Sequence, residues 1–130
     1  QFSLNTRDEQ RCMFLEMANE NPNAAEKSFM WDKDLKIIMK LDITDIGKIL
    51  DGLSFAKEVK LFHQNEKTRT STTLNLKPQF DENGNFKVFY MNAAKQLPDK
   101  LLKVNMPVGP DEVAVLTVLL RHAIVKILGW

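Results

Sequence analysis

Cysteine is almost missing from this chain. With only Cys12 in 130 residues, no internal disulfide can form, and a chain of this length buries enough apolar surface to do without one or a structural metal. Cys12 sits beside Met13, Phe14 and Leu15, which reads as a small buried hydrophobe in a reducing compartment. Histidine is equally scarce. His63 and His122 are too few to build a nucleophile, base and orienter with that one cysteine, and both read as structural: His122 on the wet side of the last helix, His63 at a strand end. Also missing are a Gly-rich phosphate loop, Cys-x-x-Cys, paired histidines at helical spacing and Gly-x-Ser-x-Gly. No enzyme activity, metal or cofactor is expected. Apolar runs stop short of the ~18 residues a membrane span needs, because Arg121 and Lys126 interrupt the last one. No signal-peptide pattern opens the sequence. The expectation is an intracellular protein with no membrane partner.

An excess of one charge is absent too. Lys and Arg number 18 against 17 Asp and Glu, so the overall cation surplus of many nucleic-acid binders is lacking. The charge is nevertheless uneven: residues 33–77 carry nine basic and six acidic side chains, whereas residues 1–32 carry three and six. The middle third is the basic part.

Period-2 alternation, the signature of half-buried strands, runs through most of the sequence. Phe2 to Arg7 and Arg11 to Met17 flank the polar Asp8-Glu9-Gln10 and form a hairpin; Asn19 to Lys27, with Asn21-Pro22-Asn23, is a loop. Leu35, Ile37, Met39 and Leu41 alternate with Lys36 and Lys40. That pattern predicts one apolar and one basic face. A helix over 43–53 follows, capped by Asp42 or Thr44 and ended by Gly52. Strands return at Glu58 to His63 and Thr70 to Lys77, the latter joined through Asn83-Gly84 to Phe86 to Met91, a strong hairpin signal. Asn92 to Lys100 reads as a loop, Leu101 to Met106 as a last strand, and Pro110 to Leu128 as a long helix. Strands followed by a helix, twice, give an α+β fold and a weak internal duplication. No linker rich in Gly, Pro or Ser divides the halves, so residues 1–130 are expected to form a single domain.

The last helix is apolar nearly all the way round. Val113, Leu116, Leu120, Ile124 and Ile127 supply the usual core-facing stripe. Val115, Val118, Leu119, Val125 and Leu128 lie outside it. A second apolar side predicts self-assembly, with Val115, Val118, Leu119 and Val125 at the interface.

Basic, hydroxyl and aromatic residues interleave on the middle strands. Lys67 to Thr73 leads into Asn75 and Lys77, and the hairpin partner carries Lys87, Phe89 and Tyr90. Cations for phosphates and flat rings for unpaired bases are what a single-strand surface needs. The plainer reading is a solvated sheet face with its aromatics in the core, since alternation puts one of Phe89 and Tyr90 inside whichever way the sheet faces.

Val104-Asn105-Met106-Pro107-Val108, then Asp111 to Leu116, then Ile127-Leu128-Gly129-Trp130 resembles the closing strand and helix of the Whirly family of single-stranded DNA-binding proteins. Phe29-Met30-Trp31-Asp32-Lys33, the strand Leu35 to Leu41 and Asp42 to Gly47 resemble that family's aromatic-Asp-Trp-Glu-Lys segment and first helix entry. Phe62-His63, Ser71 to Pro78 and Phe86 to Met91 resemble its later strands. The resemblance implies two antiparallel four-stranded β-sheets with helices at their ends, a homotetramer assembled through the helices, and single-stranded DNA bound with little sequence preference in replication, recombination, repair or transcription. The family's Lys-Gly-Lys strand near the N-terminus has no counterpart in Phe2 to Arg7. The kinetoplastid guide-RNA-binding proteins share this fold, so an RNA-binding or annealing protein is the alternative, and a protein-interaction scaffold is a third reading. The expected cations are Lys36, Lys40, Lys67, Arg69, Lys77 and Lys87, and the expected stacking rings Trp31, Phe89 and Tyr90.

Overall fold

A computed structural model describes residues 2–5, 12–19 and 36–129. Its elements follow the order β1 (Phe2–Asn5), β2 (Cys12–Ala18), β3 (Lys36–Leu41), α1 (Ile43–Phe55), β4 (Val59–Asn65), β5 (Thr70–Phe80), β6 (Phe86–Gln96), β7 (Leu101–Val108) and α2 (Pro110–Leu128). Every strand pairs antiparallel with its sequence neighbour, in a sheet β1-β2-β3 and a sheet β4-β5-β6-β7. The fold is α+β as expected. The larger sheet has its four strands; the smaller has three among the described residues. The predicted turn at residues 8–10 and the loop at 19–27 lie outside the described residues, apart from Asn19.

Alternation decides which face of each sheet is buried. In the small sheet Met13, Leu15 and Met17 stand opposite Leu41, Met39 and Ile37, and all six are buried. In the large sheet the inward rows are Val59–Leu76–Met91 and Leu61–Leu74–Ala93–Val104. Ile46, Ile49 and Leu53 of α1 and Leu120 and Ala123 of α2 join both sets in one apolar cluster. Each fully buried Leu or Ile there contributes ~1.5–3 kcal/mol relative to exposure.

Two boundaries differ from the sequence expectation. Gly52 does not end α1: the helix runs to Phe55 and closes on Ala56 in the left-handed conformation. Gly52 is buried because Val59 packs where a side chain would stand, so it serves close packing rather than a turn. The predicted loop over 92–100 is mostly strand, since β6 continues to Gln96, pairing with both β5 and β7. Asn92 and Lys95 are polar yet lie in a paired strand, which alternation alone does not distinguish from a loop.

The helix starts are built as read. Asp42 accepts from the Asp45 amide at 2.8 Å, and Asp45 accepts back from the Asp42 amide at 3.2 Å, a reciprocal cap that satisfies two free donors. In α2, Gly109 carries no side chain, so only the return half forms: its amide donates to Glu112 Oε1 at 3.2 Å. Pro110 supplies the first helical position, where no amide is needed. Pro78 sits within β5 without breaking it, because β4 pairs with β5 only as far as Leu76 and the proline faces an open edge.

Candidate nucleic-acid interface

Turning Val59, Leu61, Leu74, Leu76, Met91, Ala93 and Val104 inward forces their neighbours outward. Three of the outward rows are Lys77–Tyr90–Pro107, Lys60–Asn75–Asn92–Asn105 and Phe62–Thr73–Ala94–Lys103, and a fourth is Gln64–Ser71–Gln96–Leu101. Phe62 is 61% exposed and Tyr90 45%, so two aromatic rings stand in water where burial would be worth ~2 kcal/mol each. With strands ~4.8 Å apart and rows ~6.8 Å apart, the rings stand ~17 Å from one another across the face. Between them lie the three asparagines, with Lys60, Lys77 and Lys103 around the margin. No carboxylate occurs in these rows; Glu58, just before β4, reaches Lys60 at 3.6 Å but is solvated. A nearly neutral chain thus presents one face whose paired rows carry lysines and no carboxylate, with Glu58 at its β4 margin.

The residues expected from sequence separate. Lys77 and Tyr90 stand opposite one another on this face. Lys67 and Arg69 are exposed in the β4–β5 turn, where Asn65 Oδ1 accepts from the amides of Lys67 and Thr68 and Arg69 takes a left-handed φ of 54°. Lys87 is exposed near the β5–β6 turn, at the bulge where pairing passes from Gln79–Val88 to Phe80–Phe86. Lys36 and Lys40 belong to the small sheet, opposite Ala18 and Phe14. Lys36 is half-buried against Glu16 at 3.4 Å, which occupies its charge within the protein.

Phe89 is a correction. It is 1% exposed and packs on Phe86 with ring centroids 4.9 Å apart. It belongs to the core and cannot stack on a base. Trp31 lies outside the described residues. Sequence reasoning missed Phe62, Lys60 and Lys103. Phe62 was legible in principle, since it alternates with Leu61, whereas the alignment of Lys103 with it across four strands follows only from register. His63 is no loose strand end: its Nε2 donates to Asp45 Oδ2 at 3.0 Å, tying β4 to the start of α1.

Residues 4–119 match the family described as Whirly transcription factor. The chain belongs to the Whirly family. Among solved structures, this Whirly chain is similar to the plant transcriptional regulator PBF-2 at 23% identity and TM-score 0.73, covering 95% of this chain and 72% of that one. WHY3 from Arabidopsis thaliana is similar at 21% identity and TM-score 0.74, with 95% and 71% covered. MRP1/MRP2 of Trypanosoma brucei share the fold at 12% identity and TM-score 0.61, with 99% and 85% covered. No curated relative matches. Membership carries nucleic-acid binding as the general function of this Whirly protein. Among the described residues no helix is long and apolar enough to cross a membrane.

Proposed function

We propose that the outer face of β4–β7 binds single-stranded DNA with little sequence preference, and that the protein acts without catalysis as a homotetramer joined through α2. The observation that carries the binding face is the exposure of Phe62 and Tyr90 among lysines and asparagines, with no carboxylate in the paired rows. Bases stack on exposed rings regardless of their identity, and lysines at the margin attract phosphates. Lys67 and Arg69 extend the cationic path over the β4–β5 turn. The family description supports a role in transcription.

The tetramer rests on α2. Leu120 and Ala123 are buried, while Val115 and Val118, on the opposite side of the helix, are each 69% exposed, with Leu119 and Val125 beside them. An apolar patch of this kind on a helix is a protein-contact surface.

Fluorescence anisotropy of a labelled single strand tests the face. The double variant Phe62→Ala, Tyr90→Ala weakens binding while keeping its salt slope. Unchanged affinity would move the site elsewhere, and salt-independent binding would favour the scaffold reading. A ribose strand held more tightly than its deoxyribose equivalent would assign RNA as the ligand.

A further inference from the structure

At one row the inward face of the large sheet turns polar on three strands, while β7 keeps Leu102 there. His63, Thr72 and Lys95 stand side by side across β4, β5 and β6, immediately beyond the apolar row Leu61–Leu74–Ala93. Cross-strand neighbours in such a row hold their Cβ atoms ~5 Å apart. The next inward pair, Asn65 and Thr70, is polar again. These residues line a cleft of about 500 Å³ between the large sheet and β3, whose lining also includes Lys40. Ile38, Met39, Leu97 and Pro98 supply the apolar part of the lining. Two lysines, a histidine and three threonines are gathered here; His63 is bonded to Asp45 and Thr70 to Thr68, whereas Lys95 and Thr72 stand at the edge of the apolar core without serving the outer face.

We propose that this cleft binds a nucleotide phosphomonoester. The donors match the ligand: a terminal phosphate carries a charge near −2 and three acceptor oxygens, whereas a phosphodiester within a strand carries one charge. Lysine ammonium groups and threonine hydroxyls donate to those oxygens, while the apolar lining takes sugar or base. A cleft of this volume falls within the range that encloses a small ligand. The His63 ring is held in place by its 3.0 Å bond to Asp45. That carboxylate is engaged by His63 and the Asp42 amide and so opposes an anion less than a free one would. Thr72 is 9% exposed, and a hydroxyl at that depth offers a pre-positioned donor.

Two sources present this chemistry, the 5′-phosphorylated end of a single strand and a free nucleotide. The strand-end source rests on the single-strand reading above; the free-nucleotide source does not.

Anisotropy with 5′-phosphate and 5′-hydroxyl forms of one 3′-labelled oligonucleotide, alongside NMR of the His63 ring protons titrated with dAMP and with deoxyadenosine, separates them. The two ring systems, His63 and the exposed His122, make assignment simple. For the strand end, the phosphorylated form binds about tenfold more tightly, and the difference falls below twofold in Lys95→Ala and in Thr72→Val while the 5′-hydroxyl affinity stays the same. For a free nucleotide, dAMP but not deoxyadenosine shifts the His63 resonances and leaves those of His122 in place, and Lys95→Ala abolishes the shift. Thr72→Val preserves side-chain shape, and circular dichroism establishes that both variants fold. Equal binding of the two oligonucleotides together with no dAMP-specific shift overturns the proposal, as does a preference that both variants retain. A dAMP shift in a protein that binds no 5′-hydroxyl strand would sink the outer-face reading and leave this one standing.

Discussion

Phe89 and Tyr90 are neighbours in sequence with opposite fates, and their substitutions separate stability from binding. Tyr90→Ala and Phe62→Ala remove exposed rings, so each lowers single-strand affinity by ~1–3 kcal/mol, roughly 5- to 150-fold, with little loss of stability. Phe89→Ala empties a packed site against Phe86 and costs ~3–5 kcal/mol of stability. Thermal melts beside anisotropy should show that crossover, and an affinity loss for folded Phe89→Ala equal to that of Tyr90→Ala would contradict it. Lys77→Ala tests the cations. Losing one phosphate contact reduces the magnitude of the log–log salt slope by ~0.7 on a single strand, whereas Lys36→Ala, whose charge already meets Glu16, leaves that slope unchanged.

At the scale of elements, α1 depends on two features that its composition conceals. Glycine inside a helix ordinarily costs ~1 kcal/mol relative to alanine, so Gly52→Ala would be expected to stabilise. Here the added methyl group meets Val59 Cγ2, and overpacking of this kind costs ~1–3 kcal/mol. A lowered melting temperature for Gly52→Ala is therefore expected, and a raised one would show that β4 yields easily. At the other end, Asp45 caps the helix and also holds His63. Asp45→Ala loses both interactions and should destabilise by more than the ~1 kcal/mol of an ordinary cap, as denaturant unfolding would register. Strand β6 makes the complementary point: Asn92 and Lys95 extend it to Gln96 because neighbours on both sides satisfy its backbone.

For the whole molecule, assembly and strand selectivity are the properties at issue. Val118→Glu places a charge on the exposed apolar side of α2, where it costs a lone subunit almost nothing but would be desolvated inside an interface. Light scattering should report a fall from tetramer to smaller species with the circular dichroism spectrum unaltered. A mass indifferent to Val118→Glu and Val115→Glu alike would remove α2 from the interface. Binding through stacked bases also requires those bases to be unpaired, so a single strand should be held more tightly than the matched duplex. Equal affinity for the two would mean that the face reads phosphate alone.

Local periodicity was sufficient to determine most of the elements and which side of each is apolar. Met39 alternating with Lys40, Asn83-Gly84 between strands and Pro110-Asp111-Glu112 opening a helix each express a rule of a few residues' reach. The two-sided apolar character of α2 was legible for the same reason: 3.6 residues per turn maps sequence position directly onto helix face. Two kinds of fact needed the tertiary structure. One is the choice between faces, since alternation puts either Phe89 or Tyr90 inside and only the burial of Val59, Leu74 and Met91 in the shared apolar cluster decides that it is Phe89. The other is lateral register: Lys60, Asn75, Asn92 and Asn105 lie up to 45 positions apart in the chain, and nothing local to any of them encodes their alignment. The same holds for His63, Thr72 and Lys95. Pairing across strands is fixed by turn geometry and by burial of the whole inward face at once, and that cooperative choice brought the candidate interface and the inter-sheet cleft together.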